Sequence, residues 1–94
     1  MRFEWDEVKE QKNIEKHGID FETAALVFGD ENRIEKYDVA HSLEEDRYIT
    51  IGCVDGILTV LMVVYTERRD AIRIISARVA TKKEEVEYYE ECRY

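Results

Sequence analysis

The run Ile57-Leu58-Thr59-Val60-Leu61-Met62-Val63-Val64-Tyr65 constrains this chain more than any other stretch. It is apolar on both parities, so a strand made from it has no face to leave in water. A central strand covered on both sides is the expected result. Asp55-Gly56, just before it, is the dipeptide of a type I′ hairpin turn, and Arg47 to Val54 reads as the partner strand. After the run, Glu67 to Asp70 form a loop that leads to a further strand, Ala71 to Arg78. Upstream, Tyr37, Val39 and His41 alternate with Lys36, Asp38 and Ala40, which predicts an edge strand from Ile34 onward.

Helices are expected on either side of these strands. Asp6 is a good N-cap, Glu7 to His17 are helix formers, and Gly18 is a typical residue just past a helix end. Val8 and Ile14 are the main aliphatics of that segment, so the helix should be mostly exposed, with Lys9, Lys12, Asn13, Lys16 and His17 available to solvent or ligand. Asp20 can cap a second helix. In it Phe21, Ala25 and Phe28 fall at i, i+4, i+7 with Ala24 and Val27 beside them, a core stripe ending at Gly29-Asp30. Thr81-Lys82-Lys83-Glu84 has the form of a capping box and opens a last helix through Tyr88 and Tyr89. The fold class is therefore α+β: two N-terminal helices, an antiparallel sheet of about four strands, and a C-terminal helix. With 94 residues, no proline and no repeat, residues 1–94 read as one domain.

Composition narrows the function classes. No apolar run approaches the roughly 20 residues of a membrane helix, and the start of the chain lacks the apolar segment of a signal peptide. A cytosolic protein with no membrane partner is expected, and Cys53 and Cys92 read as thiols. The net charge of −8, with a pI near 4.8, opposes binding of the whole molecule to a polyanion. The charge is uneven, however. Glu84, Glu85, Glu87, Glu90 and Glu91 crowd the last segment, whereas Arg68, Arg69, Arg73, Arg78, Lys82 and Lys83 lie just before or at its start. Fields between exposed charges fade over roughly 8 Å at physiological salt, so a basic cleft can persist in an acidic protein. The acidic segment could equally dock a basic partner.

Arg73-Ile74-Ile75-Ser76-Ala77-Arg78 poses the chemical question, because an apolar strand begins and ends on arginine. In regular alternation the two guanidinium groups face opposite ways, and only a bulge or the strand's end can bring them to one side. A strand-end arginine can be a solvated surface group. It can also present a planar, permanently charged fork to a phosphate. If this strand pairs antiparallel with the central one, Tyr65 and Arg73 share an end of the sheet. A phenol, the Glu67 carboxylate and the guanidinium groups of Arg68, Arg73 and Arg78 would then reach one concave face. Such a set binds a phosphodiester and stabilises the charge that grows on it, given a base for the 2′-hydroxyl proton and an acid for the leaving oxygen. His17 can act as acid or base, or merely complement the dipole at its helix end. His41 follows Asp38 by three residues, but no third ligand stands in register, so no metal is expected. No glycine-rich phosphate loop, paired-cysteine motif or nucleophile elbow is present, and no cofactor is expected.

Several segments together resemble a known family. They are Phe3-x-Trp5-Asp6-x-x-Lys9-x-x-x-Asn13-x-x-Lys16-His17-Gly18, Val27-Phe28, Asp38-x-x-His41, Glu45-x-Arg47, Tyr65-Thr66-Glu67-Arg68 and the Arg73 to Arg78 strand. In this order, over nearly the whole chain, they resemble the BrnT family of toxins, the toxin halves of type II toxin-antitoxin pairs. The resemblance implies a RelE-like ribonuclease fold and metal-independent RNA cleavage that inhibits translation. It also implies a BrnA-like antitoxin with a ribbon-helix-helix DNA-binding domain, the complex binding operator DNA. The family's basic and polar positions fall on Lys9, Lys16, His17, His41, Arg47, Tyr65, Arg73 and Arg78. Arg73, Arg78, His17, Tyr65 and Glu67 are expected to be catalytic, and Lys9, Lys16, Arg47, His41 and Arg68 to hold RNA. Glu87, Tyr88 and Glu91 of the acidic last helix are expected to meet the antitoxin. The alternative is a non-catalytic module whose basic groove receives a segment of a partner. A DNA-binding domain is disfavoured, since no recognition helix with a basic face is evident.

Overall fold

The apolar run does become the middle of the sheet. A computed structural model describes residues 1–54 and 59–91; Asp55-Gly56, the first two residues of the run and Cys92 lie outside the described residues. The elements are β1 (Arg2–Glu4), α1 (Glu7–His17), α2 (Phe21–Leu26) continued by a 3₁₀ turn (Val27–Gly29), β2 (Ile34–Tyr37), a second 3₁₀ turn (Val39–His41), β3 (Tyr48–Cys53), β4 (Val60–Arg68), β5 (Ala71–Val79) and α3 (Lys82–Glu91). The fold is α+β. Among the described residues the sheet has five strands in the order β1-β5-β4-β3-β2, all neighbours antiparallel except β1 and β5.

The helix signals act as the sequence predicts. Asp6 Oδ1 accepts the N–H groups of Val8 at 2.8 Å and Lys9 at 3.2 Å, and these bonds hold its carboxyl below the usual range. Gly18 takes φ +72° and its N–H closes the helix on the Ile14 carbonyl. That left-handed conformation is one a side chain resists. Thr81 and Glu84 form the reciprocal capping box at the start of α3.

Two expectations need correction. The sheet gains β1, a three-residue parallel strand pairing Arg2, Phe3 and Glu4 with Ala71, Ile72 and Arg73, which is too short to show a period. The edge strand stops at Tyr37 rather than running through His41. Asp38 turns the chain, Val39 and His41 are exposed in a 3₁₀ turn, and Ser42 Oγ closes the loop by donating to the Asp38 carbonyl and accepting the Arg47 N–H.

The two faces of the sheet carry separate cores. Leu61, Val63, Ile74 and Ala77 pack against Phe21, Ala24 and Val27 under α1 and α2. On the other face Val60, Met62 and Ile51 pack with Tyr88 of α3. Buried on both faces, β4 is the strand its composition demanded. Polar side chains complete the open strand edges. The Asn13 amide donates to Ala77 O at 2.8 Å and to Ile19 O at 2.9 Å and accepts Ala77 N–H at 3.1 Å, serving β5 beyond the point where β1 stops. Asp30 accepts the Cys53 N–H at 2.9 Å and the Tyr88 hydroxyl, which fastens α3 to the β3 edge. Burial opposes ionisation of Asp30, but bonds from Tyr88, Cys53 and Asn32 outweigh it and keep the carboxyl below its ordinary value.

Candidate functional site

The two arginines of β5 are brought to one face. Val64 pairs with Ser76 and Tyr65 with Ile74, so Ile75 is an extra residue that reverses the alternation. Arg73 stands opposite Thr66, Ser76 opposite Val64 and Arg78 opposite Met62, all on the α3 side of the sheet. Thr66 at the centre of this end is buried, and its Oγ1 is without a hydrogen-bond partner among the described residues.

Both guanidinium groups already have carboxylate partners. Arg73 Nη1 lies 3.0 Å from Glu4 Oε2, across the short parallel ladder. Arg78 is bidentate on Glu84, at 2.8 Å and 3.0 Å, and also donates to the Val79 carbonyl at 3.2 Å. Arg78 in turn holds the Glu84 carboxyl below the usual range. Glu84 therefore serves the capping box and the arginine at once. Arg68, the next cation toward the sheet's end, pairs with Glu45 at 3.1 Å.

A second basic feature lies beside this row. A cleft of about 300 Å³ is lined by Lys9, Lys12, Asn13, Lys16 and His17 of α1 and by Ile75 and Ser76 of β5. The helical spacing of Lys9, Lys12 and Lys16 stacks them on one side of α1. Asn13, anchored on Ala77, sets that side against the β5 edge. Ser76 belongs to both the cleft and the arginine face, so the two features are contiguous.

Other expected site residues fall elsewhere. Tyr65 and Glu67 face α1 and α2, on the side of β4 opposite Arg73. Tyr65 is only 2% exposed, stacks on Tyr48, meets the edge of Phe28 and donates its hydroxyl to Glu35 at 2.9 Å. Burial first, and the Glu35 carboxylate second, push its phenol well above the ordinary value. The concave face expected to gather phenol, carboxylate and arginines is therefore not formed, because Arg78 faces away from Tyr65 and the bulge turns Arg73 to the face of Arg78. Arg33 pairs with Glu35 and lies 5.1 Å from the Phe28 ring centroid, so Tyr65 belongs to a packed aromatic and ionic network. His41 Nδ1 lies 3.0 Å from Asp38 Oδ2, in the turn before β3. Arg47 follows in the same loop, its backbone bonded to Asp38 and Ser42. Of the residues expected to meet a partner, Glu87 pairs with Lys36, Glu91 is exposed, and Tyr88 is 4% exposed in the core under α3. Tyr88 is thus a packing residue rather than a surface contact.

Sequence reading named a bulge as one way to bring the arginines together but did not place it at Ile75, which no local signal marks, and it missed Glu4 and Glu84 as carboxylate partners. It also missed Ser76, although its position between the arginines was visible. Among the described residues no three His, Cys, Asp or Glu side chains converge as a metal site would require. No helix of the described residues is long and apolar enough to cross a membrane.

Comparison with known protein families gives a match over most of the chain. A family model described as a ribonuclease toxin, BrnT, of type II toxin-antitoxin systems matches residues 5–84, which begins after β1 and ends in the first turn of α3. A search of curated proteins returned no match.

Proposed function

The chain belongs to the BrnT family of ribonuclease toxins of type II toxin-antitoxin systems, and on that premise we propose that it cleaves RNA without a metal ion, inhibits translation in the cytoplasm and is neutralised by a BrnA-like antitoxin. The observation that carries the chemical reading is the bulge at Ile75, which aligns Arg73, Ser76 and Arg78 on one face beside the α1 cleft.

On this reading the scissile phosphate lies against Arg73 and Arg78. The 2′-oxygen attacks phosphorus, the bond to the 5′-oxygen breaks, and a cyclic phosphate and a free 5′-hydroxyl result. The guanidinium groups, held on a strand, neutralise charge on the nonbridging oxygens as it grows. His17, in the cleft lining, takes the 2′-hydroxyl proton, and the leaving 5′-oxygen takes a proton from a water molecule as it departs. A phosphate here replaces Glu4 and Glu84, so each arginine exchanges one anion for another. Lys9 and Lys16 hold the RNA from α1. Arg47, His41 and Arg68 lie toward the Arg73 end of the sheet, where they would meet a longer substrate.

The antitoxin is read as a protein with a basic segment for the acidic side of α3, where Glu87 and Glu91 remain candidate contacts. Its ribbon-helix-helix domain would carry the pair to operator DNA. One observation favours the alternative of a non-catalytic binding module: both arginines are satisfied by carboxylates, as they would be if the groove received an acidic partner segment.

The deciding experiment is induction of the chain alone in a bacterium, with total RNA examined for cleavage and an Arg73→Ala, Arg78→Ala variant in parallel. Cleavage and growth arrest that vanish in the variant, with purified-enzyme cleavage persisting in a chelator, are the expected result. Intact RNA and normal growth from soluble, folded parent protein would favour the binding module.

A further inference from the structure

The α1 cleft differs in kind from the arginine face. Arg33, Lys36, Arg68, Arg73, Arg78 and Lys82 each have a carboxylate within ion-pair distance. Among the described residues Lys9, Lys12 and Lys16 have none, although the chain carries 22 acidic residues. The remaining unpaired cations of the described residues, Arg2, Arg47, Arg69 and Lys83, sit on separate elements or loops. Among the described residues, only on α1 do successive unpaired cations share one helix face and one cleft.

The spacing of these lysines suits a polyanion better than a single anion. A helix rises about 1.5 Å per residue, so Lys9 to Lys16 spans roughly 10 Å. A stacked strand carries a phosphate about every 3.4 Å of axis, so that length covers about three phosphates. Lysine is a strongly hydrated point charge on a flexible stem, suited to attraction without fixed geometry, whereas the forked arginines on β5 suit one oriented phosphate. Ser76 joins the cleft to the arginine face, which leads one strand from the first to the second.

We propose that Lys9, Lys12 and Lys16, with Ser76, form a track for the backbone phosphates of single-stranded RNA beside the bond that is cut, separate from the arginine site. This rests on the ribonuclease reading above. The track contacts phosphates only, so it adds affinity without sequence preference.

The test uses the full chain with Lys9→Gln, Lys12→Gln and Lys16→Gln combined, beside the matching triple Lys→Arg variant. Substrates are a short single-stranded RNA oligonucleotide and a dinucleotide, and binding is read separately on a 2′-O-methyl copy of the oligonucleotide that cannot be cleaved. In the Gln variant KM for the oligonucleotide should rise about tenfold or more at low salt, with a smaller change in kcat. Its log–log salt slope should flatten by about 2, from roughly 0.7 per lysine. The kinetic advantage of the oligonucleotide over the dinucleotide should shrink, and affinity for the 2′-O-methyl copy should fall in parallel. The Arg variant should behave like the parent. Unchanged affinity and slope, while Arg73→Ala with Arg78→Ala abolishes cleavage, would overturn the track and leave the ribonuclease reading intact. An equal loss of kcat on the dinucleotide would overturn it by placing the lysines at the reacting bond. Unchanged RNA binding with lost antitoxin affinity would overturn it in favour of an acidic protein segment. If the parent proves inactive, binding of the 2′-O-methyl copy still decides the track, while the ribonuclease reading alone fails.

Discussion

The lysines of α1 line a cleft and the arginines of β5 stand on the face beside it, yet the protein holds them in opposite ways. Arg73 and Arg78 stand on a strand fixed by neighbours, and each is tied to a carboxylate. The lysines stand on a helix whose outer side is solvated, and none is tied to a carboxylate among the described residues. A group that must meet one phosphate in one orientation gains by being positioned before the phosphate arrives, and an internal carboxylate holds it there while the site is empty. A group that attracts any part of a strand needs only a free charge, and pairing would cancel its field. The difference shows that net charge is a poor guide to such a surface, because what matters is which cations are already neutralised.

The residue joining the two regions should show the largest effect on stability. Asn13→Ala removes three hydrogen bonds and strands the N–H and C=O of Ala77. Leaving buried polar groups unpaired costs about 1–3 kcal/mol each before relaxation, so a loss of about 3 kcal/mol is expected in urea unfolding. The variant should also loosen the α1 cleft, seen as faster amide exchange in α1 than in α3.

Asn13 also shows how far the sequence could be read. Its helix was legible because Asp6 and Gly18 mark its ends chemically, and the capping box marked the start of α3 in the same way. The β4 strand was legible from composition. What Asn13 does was not legible, because its partner Ala77 lies 64 residues away. The same holds for Arg73 with Glu4 and for the parallel β1, which exist only once the two ends of the chain meet. The bulge was named as a condition for the arginines to cooperate, but nothing in Ile74-Ile75 says which residue is extra. Val39 and His41 continued a period of two by chance, and the turn at Asp38 depends on Ser42 and Arg47 further along.

Tyr65 tests whether the faces of β4 are as separate as the geometry makes them. Tyr65→Phe removes a bond to a carboxylate that Arg33 still holds, so about 1 kcal/mol of stability should be lost. RNA cleavage should stay within about threefold of the parent, far less than the loss of about a hundredfold or more expected when a charge-stabilising donor is removed. A large fall in kcat with modest destabilisation would return Tyr65 to the catalytic set and break the separation.

Glu84→Gln sharpens the contrast from the arginine side. Glutamine keeps the capping box and removes only the charge opposite Arg78. The folded-state carboxyl titrates below the ordinary glutamate value of 4.5, chiefly because of Arg78. A lowered pKa means that the unfolded chain binds the proton more readily, so the pair stabilises the fold above about pH 4.5 and loses that contribution as pH falls through the folded value. Parent and variant should differ by under about 1 kcal/mol at neutral pH, since the pair is partly solvated. The gap should close under acid, and a gap constant from pH 7 to pH 3 would remove the ion pair as its cause.

Lys12→Ala should be the quietest change in stability and thereby the clearest marker of what the α1 cations are for. The side chain is exposed and makes no ion pair among the described residues, so urea unfolding should move by no more than about 0.5 kcal/mol in either direction. Affinity for single-stranded RNA should nevertheless fall and its salt dependence weaken, by about 0.7 in the log–log slope for one phosphate contact. A residue kept for the fold shows the reverse pattern, stability lost and salt slope kept, as Asn13→Ala should once its variant is folded. If Lys12→Ala destabilises the protein by more than about 1 kcal/mol, the lysine is neutralising the acidic surface around it and the contrast between tied arginines and free lysines fails.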